Sequence, residues 1–122
     1  MRDRLSDIDF EERDDDVLVV RIRGEVDGSN AVELGRALGE KLPSSAHGLV
    51  IDLGAVAYMD SAGIELLFGL ARRLGDRRQR LGLSVPAGSP VRRVLEICDI
   101  GSVAPLEETP DSAASRVASA GM

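Results

Sequence analysis

Aromatic residues are almost absent from this chain of 122 residues: it has no tryptophan, and Phe10, Tyr58 and Phe68 are its whole aromatic complement. Proteins that bind single-stranded nucleic acids stack the bases on aromatic side chains, so this chain lacks the platform that they use. It also lacks the positive charge that a phosphate backbone requires, because its formal net charge is −6. We therefore expect no nucleic-acid partner, and a core built from Val, Leu, Ile and Ala.

Cysteine is present once, so the chain can form neither an internal disulfide nor a zinc site built on cysteines. Cys98 lies in the apolar segment 94–98, where we expect it to be buried as a small hydrophobic residue. Asp14, Asp15 and Asp16 stand together, but three adjacent carboxylates without further ligands indicate a solvated hairpin turn rather than a cation site. We expect no cofactor and no bound metal.

Long apolar runs are also missing. No segment approaches the roughly 18 residues that indicate a membrane-spanning helix, and the N-terminal segment 1–7 lacks the hydrophobic centre of a secretion signal. We therefore expect a cytoplasmic protein with no membrane partner. The length of 122 residues and the lack of a long linker indicate a single domain over residues 1–122.

Apolar and turn-forming residues alternate along the chain in a way that predicts strands separated by helices. Strands are predicted at residues 8–13, 17–24, 48–53, 81–85 and 103–106. Helices are predicted at residues 31–42, up to about 76 after the third strand, from 90 to about 98, and at 112–118. This order predicts an α/β fold, with a mostly parallel or mixed β-sheet of about five strands packed by about four helices.

Two loops carry polar residues at one edge of the predicted sheet. Functional loops of parallel sheets lie beyond the carboxyl ends of the strands. Asp27 follows the second predicted strand, and Asp60 and Ser61 follow the third, so the topology alone places the two loops together. In the first loop, Ser29 or Asn30 is expected to cap the helix that follows.

The sequence gives little support to catalysis. A serine nucleophile needs a base that takes its proton, and the only histidine, His47, precedes the third strand, at the opposite end from Ser61. The chain lacks the Gly-x-Ser-x-Gly elbow, the P-loop and the dinucleotide-binding glycine pattern. Asp27 and Asp60 are candidates for acid–base work, but nothing beside them indicates a substrate pocket. We therefore do not expect an enzyme.

The segment Tyr58-Met59-Asp60-Ser61-Ala62-Gly63-Ile64 has two interpretations when its residues are taken alone. Asp or Ser just before an amphipathic run is the commonest helix N-cap, and Gly63 then only eases the turn. In the second interpretation, Ser61 is a reactive hydroxyl that the fold presents to a partner protein.

Four stretches of the sequence occur in a characteristic order: Val20–Asp27, Leu49–Leu53, Val56–Ile64 and Ser89–Ile97. With these stretches, the chain resembles the STAS domain family, specifically the small bacterial anti-sigma factor antagonists. The pattern apolar-Asp-Ser-small-Gly-apolar after a strand is the most specific part of the likeness. The resemblance covers roughly residues 8–118 and implies a STAS-like core over that range.

The resemblance implies a binding protein that is switched by phosphorylation. Carried over by position, Ser61 is the phosphoacceptor, and the partner is an anti-sigma factor that is also an ATP-binding serine kinase. The unmodified antagonist binds this kinase and frees the sigma factor for transcription, whereas the phosphorylated antagonist lets go and a Ser/Thr phosphatase resets it. The implied partner-binding residues are Asp27, Asp60, Ser61, Ala62, Gly63, Ile64 and Glu65.

Physical chemistry adds expectations about the switch and about two departures from the family pattern. A phosphate on Ser61 would lie beside helix N-terminal N–H groups, of about residues 62–64, which we expect to hold it. It would also add roughly −1.5 to −2 charges near other carboxylates. Ala62 stands where a second Ser or Thr is frequent, so Ser61 is the only hydroxyl of the motif. Glu65 stands where glycine is common, which suggests a partner with a compensating Arg or Lys.

STAS domains also serve as accessory subunits that do not switch, for example in lipid-transport ABC systems or in signalling scaffolds. In that alternative, the same helix edge docks a transporter or a neighbouring domain, and Ser61 does no more than cap the helix. We expect a monomer.

Overall fold

The structure is a computed structural model that describes residues 7–120, and its elements follow the predicted alternation of strands and helices. The strands are β1 (Ile8–Glu12), β2 (Val17–Val26), β3 (Gly48–Met59), β4 (Arg80–Ser84) and β5 (Leu106–Glu107). The helices are α1 (Ala31–Lys41), α2 (Ser61–Asp76), α3 (Pro90–Ile97) and α4 (Pro110–Ala120), with a 3-10 turn at Ile100–Ser102. The predicted α/β class, with five strands and four helices, is confirmed.

The strands form one mixed sheet in the order β1-β2-β3-β4-β5. The hairpin of β1 and β2 is antiparallel, and the remaining neighbours are parallel because a helix connects each to the next. The segment 14–16 forms the hairpin turn, as predicted. The outer edges are β1, with exposed Asp9, Glu11 and Glu12, and the two-residue strand β5.

The alternation of side chains along β2 and β3 divides the core between the two faces of the sheet. One face carries Leu18, Val20 and Ile22 of β2 and packs under α1, α2 and α3. The other face carries Val17, Val19 and Val50, and it is covered by Ala113, Ala114 and Val117 of α4. The helices therefore form a layer of three on one side and a single helix on the other.

Strand β3 is longer than predicted, and this extension positions the loop that follows it. The prediction ended at Leu53, whereas the strand continues to Met59. Residues 55–59 pair with the last part of β2, after register shifts near Gly24, which has a φ of +93°. Because β4 pairs only with residues 48–52, the second half of β3 is hydrogen-bonded on one side. The length of β3 is therefore set by its pairing with β2. The sequence of residues 54–59 alone does not reveal this pairing.

Two further predictions are wrong in detail. The last strand, predicted at 103–106, lies at Leu106–Glu107, because the chain first makes the 3-10 turn. Cys98, predicted to be buried, is exposed, because it follows the last residue of α3 and is not on the helix face that packs. Among residues 7–120, no helix has both the length and the apolar character needed to cross a bilayer.

Candidate functional site

The ends of β2 and β3 bring the two polar loops together, as the topology predicted. Val26 and Met59 are register partners at the ends of these strands. The Asp60 backbone N–H then donates to the Val26 carbonyl at 3.2 Å. The loop of Asp27 and the start of α2 therefore lie side by side at the carboxyl edge of the sheet.

Asp60 is the side chain that fixes this edge. Its Oδ1 accepts hydrogen bonds from the backbone N–H groups of Ala62 at 2.9 Å and Gly63 at 3.3 Å. Its Oδ2 accepts from the Gly28 N–H at 3.4 Å. Asp60 thus caps α2 through a standard N-cap geometry and ties the helix to the neighbouring loop.

Ser61 is the first residue of α2, and its side chain is exposed. Within residues 7–120, its hydroxyl takes part in no hydrogen bond. The two interpretations of the Asp-Ser pair therefore apply to different residues. Asp60 caps the helix, and the side chain of Ser61 takes no part in the cap. A hydroxyl held rigidly by a capped helix and open to solvent has the access that a modifying enzyme needs.

The Asp27 loop has its own internal hydrogen bonds. Asp27 Oδ1 accepts from the Ser29 N–H at 2.9 Å and the Ser29 hydroxyl at 2.6 Å. Asn30 is buried, with its Oδ1 accepting from the Asp27 N–H at 3.0 Å and its Nδ2 donating to the Glu25 carbonyl at 2.8 Å. Asn30 is the N-cap residue of α1, one of the two predicted, but its side chain makes no hydrogen bond to the helix N–H groups, so the expected mode of capping is wrong.

Asn30 is a site residue that the sequence did not reveal. Its amide bonds to the Asp27 N–H and to the Glu25 carbonyl near the end of β2, so its side chain holds the Asp27 loop and not the first turn of α1. The only sequence signal was an Asn before a helix, which ordinarily indicates a cap. Burial of the side chain, which decides between the two roles, depends on how β2 and β3 end.

Gly63 lets α2 begin close to the sheet. It is buried, and a Cβ at this position would lie 2.4 Å from the Met59 Cγ and 3.1 Å from the carbonyl oxygen of Val26. Any other residue would push the first turn of α2 away from β2 and β3. Gly63 therefore does more than ease a turn: it sets the distance between Ser61 and the Asp27 loop.

A family model for the STAS domain matches residues 7–113 of the chain. The chain belongs to the STAS domain family. Among relatives by sequence, the anti-sigma-F factor antagonist RsfB of Mycobacterium tuberculosis is 35% identical over 81 residues, which is 66% of this chain and 65% of RsfB. The chain thus spans about two thirds of the length of that relative.

Solved structures show the same STAS architecture. The crystal structure of an anti-sigma factor antagonist from Mycobacterium paratuberculosis has a TM-score of 0.77 and 31% identity, and the match covers 90% of this chain and 93% of that one. The Bacillus cell fate determinant SpoIIAA in its phosphorylated form shares the fold, with a TM-score of 0.64 and 21% identity over 90% of this chain and 98% of its own. RsfB and the Mycobacterium paratuberculosis protein, each more than 30% identical to this STAS domain, are both named anti-sigma factor antagonists.

The N–H groups that we expected to hold a phosphate on Ser61 are occupied in this STAS domain. Ala62 and Gly63 donate to Asp60 Oδ1, and the Ile64 N–H donates to the Asp60 carbonyl at 3.1 Å. The expected cradle is therefore absent at these residues, because the acidic side chain before Ser61 already fills it.

A cleft of about 450 Å³ runs between α1 and α2 beside Ser61, and Ala62 and Glu65 line it together with Val32. Val32 is 84% exposed, which is unusual for a β-branched apolar residue on a helix. Glu65 is also exposed, one helical turn from Ser61. Val32 lies off the apolar stripe that predicted α1, so no sequence pattern singled it out, and only the structure reveals its exposure.

Two further polar features of the described residues concern the chemistry expected at this edge. His47 precedes β3 and is exposed at the amino edge of the sheet, so the whole strand separates it from Ser61. The described residues 7–120 contain no group of His, Cys, Asp and Glu side chains arranged to bind a metal ion. The site offers an exposed Ser61 hydroxyl next to the Asp60 carboxylate, beside a cleft lined by Glu65 and by Arg36, Arg72 and Arg73.

Proposed function

We propose that this protein is an anti-sigma factor antagonist whose binding to an anti-sigma factor, itself a serine kinase, is switched by phosphorylation of Ser61. The observation that carries the proposal is the exposed Ser61 hydroxyl beside the Asp60 cap, which takes up the adjacent N–H groups. The names of the relatives by sequence support the antagonist role. SpoIIAA, which has this fold, has been solved both unphosphorylated and phosphorylated.

The charge around Ser61 supports an electrostatic switch. Asp60 precedes the hydroxyl, the Gly28 N–H ties the Asp27 loop to it, and Glu65 lies one turn along the helix. A phosphate on Ser61 adds roughly −1.5 to −2 charges. Since Asp60 already holds the N–H groups of Ala62 and Gly63, these donors are not free to neutralise that charge. A partner surface that fits a neutral hydroxyl would then face repulsion and desolvation.

The proposal assigns the remaining chemistry to the partners. The kinase binds ATP, a Ser/Thr phosphatase removes the phosphate, and the antagonist itself catalyses nothing. Residues 27 and 60–65 form the contact surface, in which Asp27 positions the acceptor for the kinase and Gly63 keeps the surface compact. The sigma factor is released when the unmodified antagonist occupies the kinase, and the whole exchange takes place in the cytoplasm.

The direct test is to find the phosphate. Intact mass and peptide mapping of the protein from its native cells are expected to show one phosphate-sized increment on the peptide that contains Ser61. The Ser61→Ala variant, expressed in the same cells, is expected to lose that increment. Ser61 that stays unmodified across growth and stress conditions would contradict the proposed switch.

Glu65 gives a prediction about the partner. Its carboxylate is exposed on the face of α2 that follows Ser61, so we propose that the kinase carries an Arg or Lys opposite to it. Replacing Glu65 by Gln keeps the size and removes the charge, and affinity for the kinase is expected to fall about fivefold. Isothermal titration calorimetry measures this change.

The matched control for this experiment is Glu33→Gln, which removes an equivalent exposed charge in the first turn of α1. It is expected to leave the affinity within a factor of two of wild type. Unchanged affinity in Glu65→Gln would exclude a compensating cation but would leave the role of Ser61 intact.

A further inference from the structure

A second concave site lies at the opposite edge of the sheet from Ser61. It is a cavity of about 590 Å³ between the end of α2, the start of β4, the segment before β5, and α4. We call it the arginine cavity, because its rim carries the arginine side chains Arg78, Arg80 and Arg116. Helix α2, whose 16 residues span roughly 22 Å at 1.5 Å per residue, separates it from Ser61.

The arginine cavity carries positive side chains, although the protein as a whole is negatively charged. The chain as a whole carries −6, yet neither Arg78 nor Arg80 forms an ion pair with a carboxylate in the described part of the chain. Arg116 is paired with Glu107 at 2.8 Å. Two guanidinium groups without carboxylate partners, on the rim of one cavity, favour an anionic ligand, since Arg presents donors in the geometry of phosphate and carboxylate.

The backbone conformation of Arg78 also supports a binding role for this residue. The Arg78 N–H donates to the Gly75 carbonyl at 3.0 Å and the Gln79 N–H to the Leu74 carbonyl at 2.8 Å, which is the Schellman ending of a helix. The residue at this place has left-handed backbone angles and is usually Gly, but here it is Arg, with a φ of +61°. The other two non-glycine residues with positive φ within residues 7–120 are both Asp, which tolerates this conformation better. An arginine in this strained position favours a role for its side chain.

The loop that bears the arginines is held firmly. Gln79 is buried, and its Nε2 donates to the carbonyls of Pro43 at 2.9 Å and Ala46 at 3.0 Å. The Arg80 N–H donates to the His47 carbonyl at 3.1 Å. Gln79 also lines the cavity, and its Oε1 is buried without a hydrogen-bond partner among the described residues. The site is therefore preformed, as ligand sites usually are.

The wall of the arginine cavity is partly apolar. This part is formed by Ala71, Val103 and Pro105, which are at least partly exposed, while Leu81 and Val117 contribute from buried positions. A cavity of this volume accommodates a small organic molecule. Its arginine rim fits an anionic group, and the apolar part of its wall fits an apolar group. We propose that the arginine cavity binds an organic phosphate monoester, with the phosphate at Arg78 and Arg80 and an apolar body against the wall.

The probe for this proposal is 1-naphthyl phosphate, titrated into the full chain and followed by amide chemical shifts in two-dimensional NMR. Saturable shifts are expected at residues 75–81, 103–105 and 116–117. Inorganic phosphate, which lacks the body, and 1-naphthol, which lacks the charge, are each expected to bind at least tenfold more weakly. Equal binding of 1-naphthol, shifts that map to the Ser61 edge, or no saturation would overturn the proposal.

Arg78→Gly separates the role in binding from a role in folding. Glycine removes the guanidinium and relieves the positive φ, so affinity for 1-naphthyl phosphate is expected to fall at least tenfold while the melting temperature rises by about 4 °C. Arg77→Ala is the matched control: it removes the same charge from a neighbouring residue that does not line the cavity, and it is expected to change affinity less than twofold.

Arg80→Ala is expected to weaken binding without changing the backbone. Wild-type affinity in both Arg78→Gly and Arg80→Ala would overturn the assignment.

Discussion

Phosphorylation of Ser61 is expected to weaken binding to the anti-sigma factor kinase about a hundredfold, a loss of about 3 kcal/mol. The physical reason is that the phosphate enters an edge where the Asp60 carboxylate already occupies the N–H groups of Ala62 and Gly63. Its charge is then opposed by neighbouring carboxylates and desolvated by the partner. Ser61→Asp, with about half the charge, is expected to show a smaller loss in the same direction. Surface plasmon resonance with purified kinase measures both.

The control for this experiment is Ser45→Asp, which adds the same charge at an exposed serine in the loop between α1 and β3, at the other edge of the sheet. It is expected to bind the kinase as wild type does. Raising the ionic strength is expected to narrow the difference between Ser61→Asp and wild type, because salt screens the repulsion. A stable complex that tolerates both phosphate and Asp at Ser61 would instead favour the accessory subunit that does not switch.

Gly63→Ala is expected to lower the free energy of unfolding by about 2 kcal/mol. The added Cβ would overlap the Met59 Cγ, at 2.4 Å, and press on the Val26 carbonyl oxygen, at 3.1 Å. Overpacking of this kind costs about 1–3 kcal/mol, and the better helix propensity of alanine returns up to about 1 kcal/mol of it. Urea denaturation, with the midpoint compared at constant slope, measures the change.

Gly69→Ala is the matched control, because Gly69 lies in the same helix and a Cβ there would have no atom of another part of the chain within 4 Å. This variant is expected to be more stable than wild type by about 0.5–1 kcal/mol, through helix propensity alone. Both variants replace a glycine by alanine, but the expected changes in the free energy of unfolding have opposite signs. Stability gained in both variants would show that the start of α2 can move away from the sheet at little cost.

The sequence was most informative where a residue type has one common structural cause. A nearly continuous apolar run predicted the first half of the buried strand β3, and the spacing of Leu34 and Leu38 predicted α1. The topology was then enough to place Asp27 beside Asp60, since both follow parallel strands. These predictions needed no knowledge of the contacts between elements.

Predictions failed where the outcome depended on tertiary contacts. The extension of β3 to Met59 comes from pairing with β2, and the role of Asn30 comes from burial of its amide against the loop. Cys98 is exposed because the packed face of α3 ends with Val91 and Leu95. Which of Asp60 and Ser61 caps α2 also depends on the direction of their side chains. From the sequence, either residue was a valid cap.

An open sheet offers two unpaired edges to which another strand can add, and this is a common route to self-association and fibres. Here one edge, β1, carries Asp9, Glu11 and Glu12 facing water, and the other, β5, is only two residues long. Two copies that met edge to edge at β1 would bring rows of like charges together. We therefore expect the protein to stay dispersed as single copies at cellular concentrations. Under the proposed function, each copy would then count as one competitor for the kinase, and the number of copies would set how much sigma factor is free.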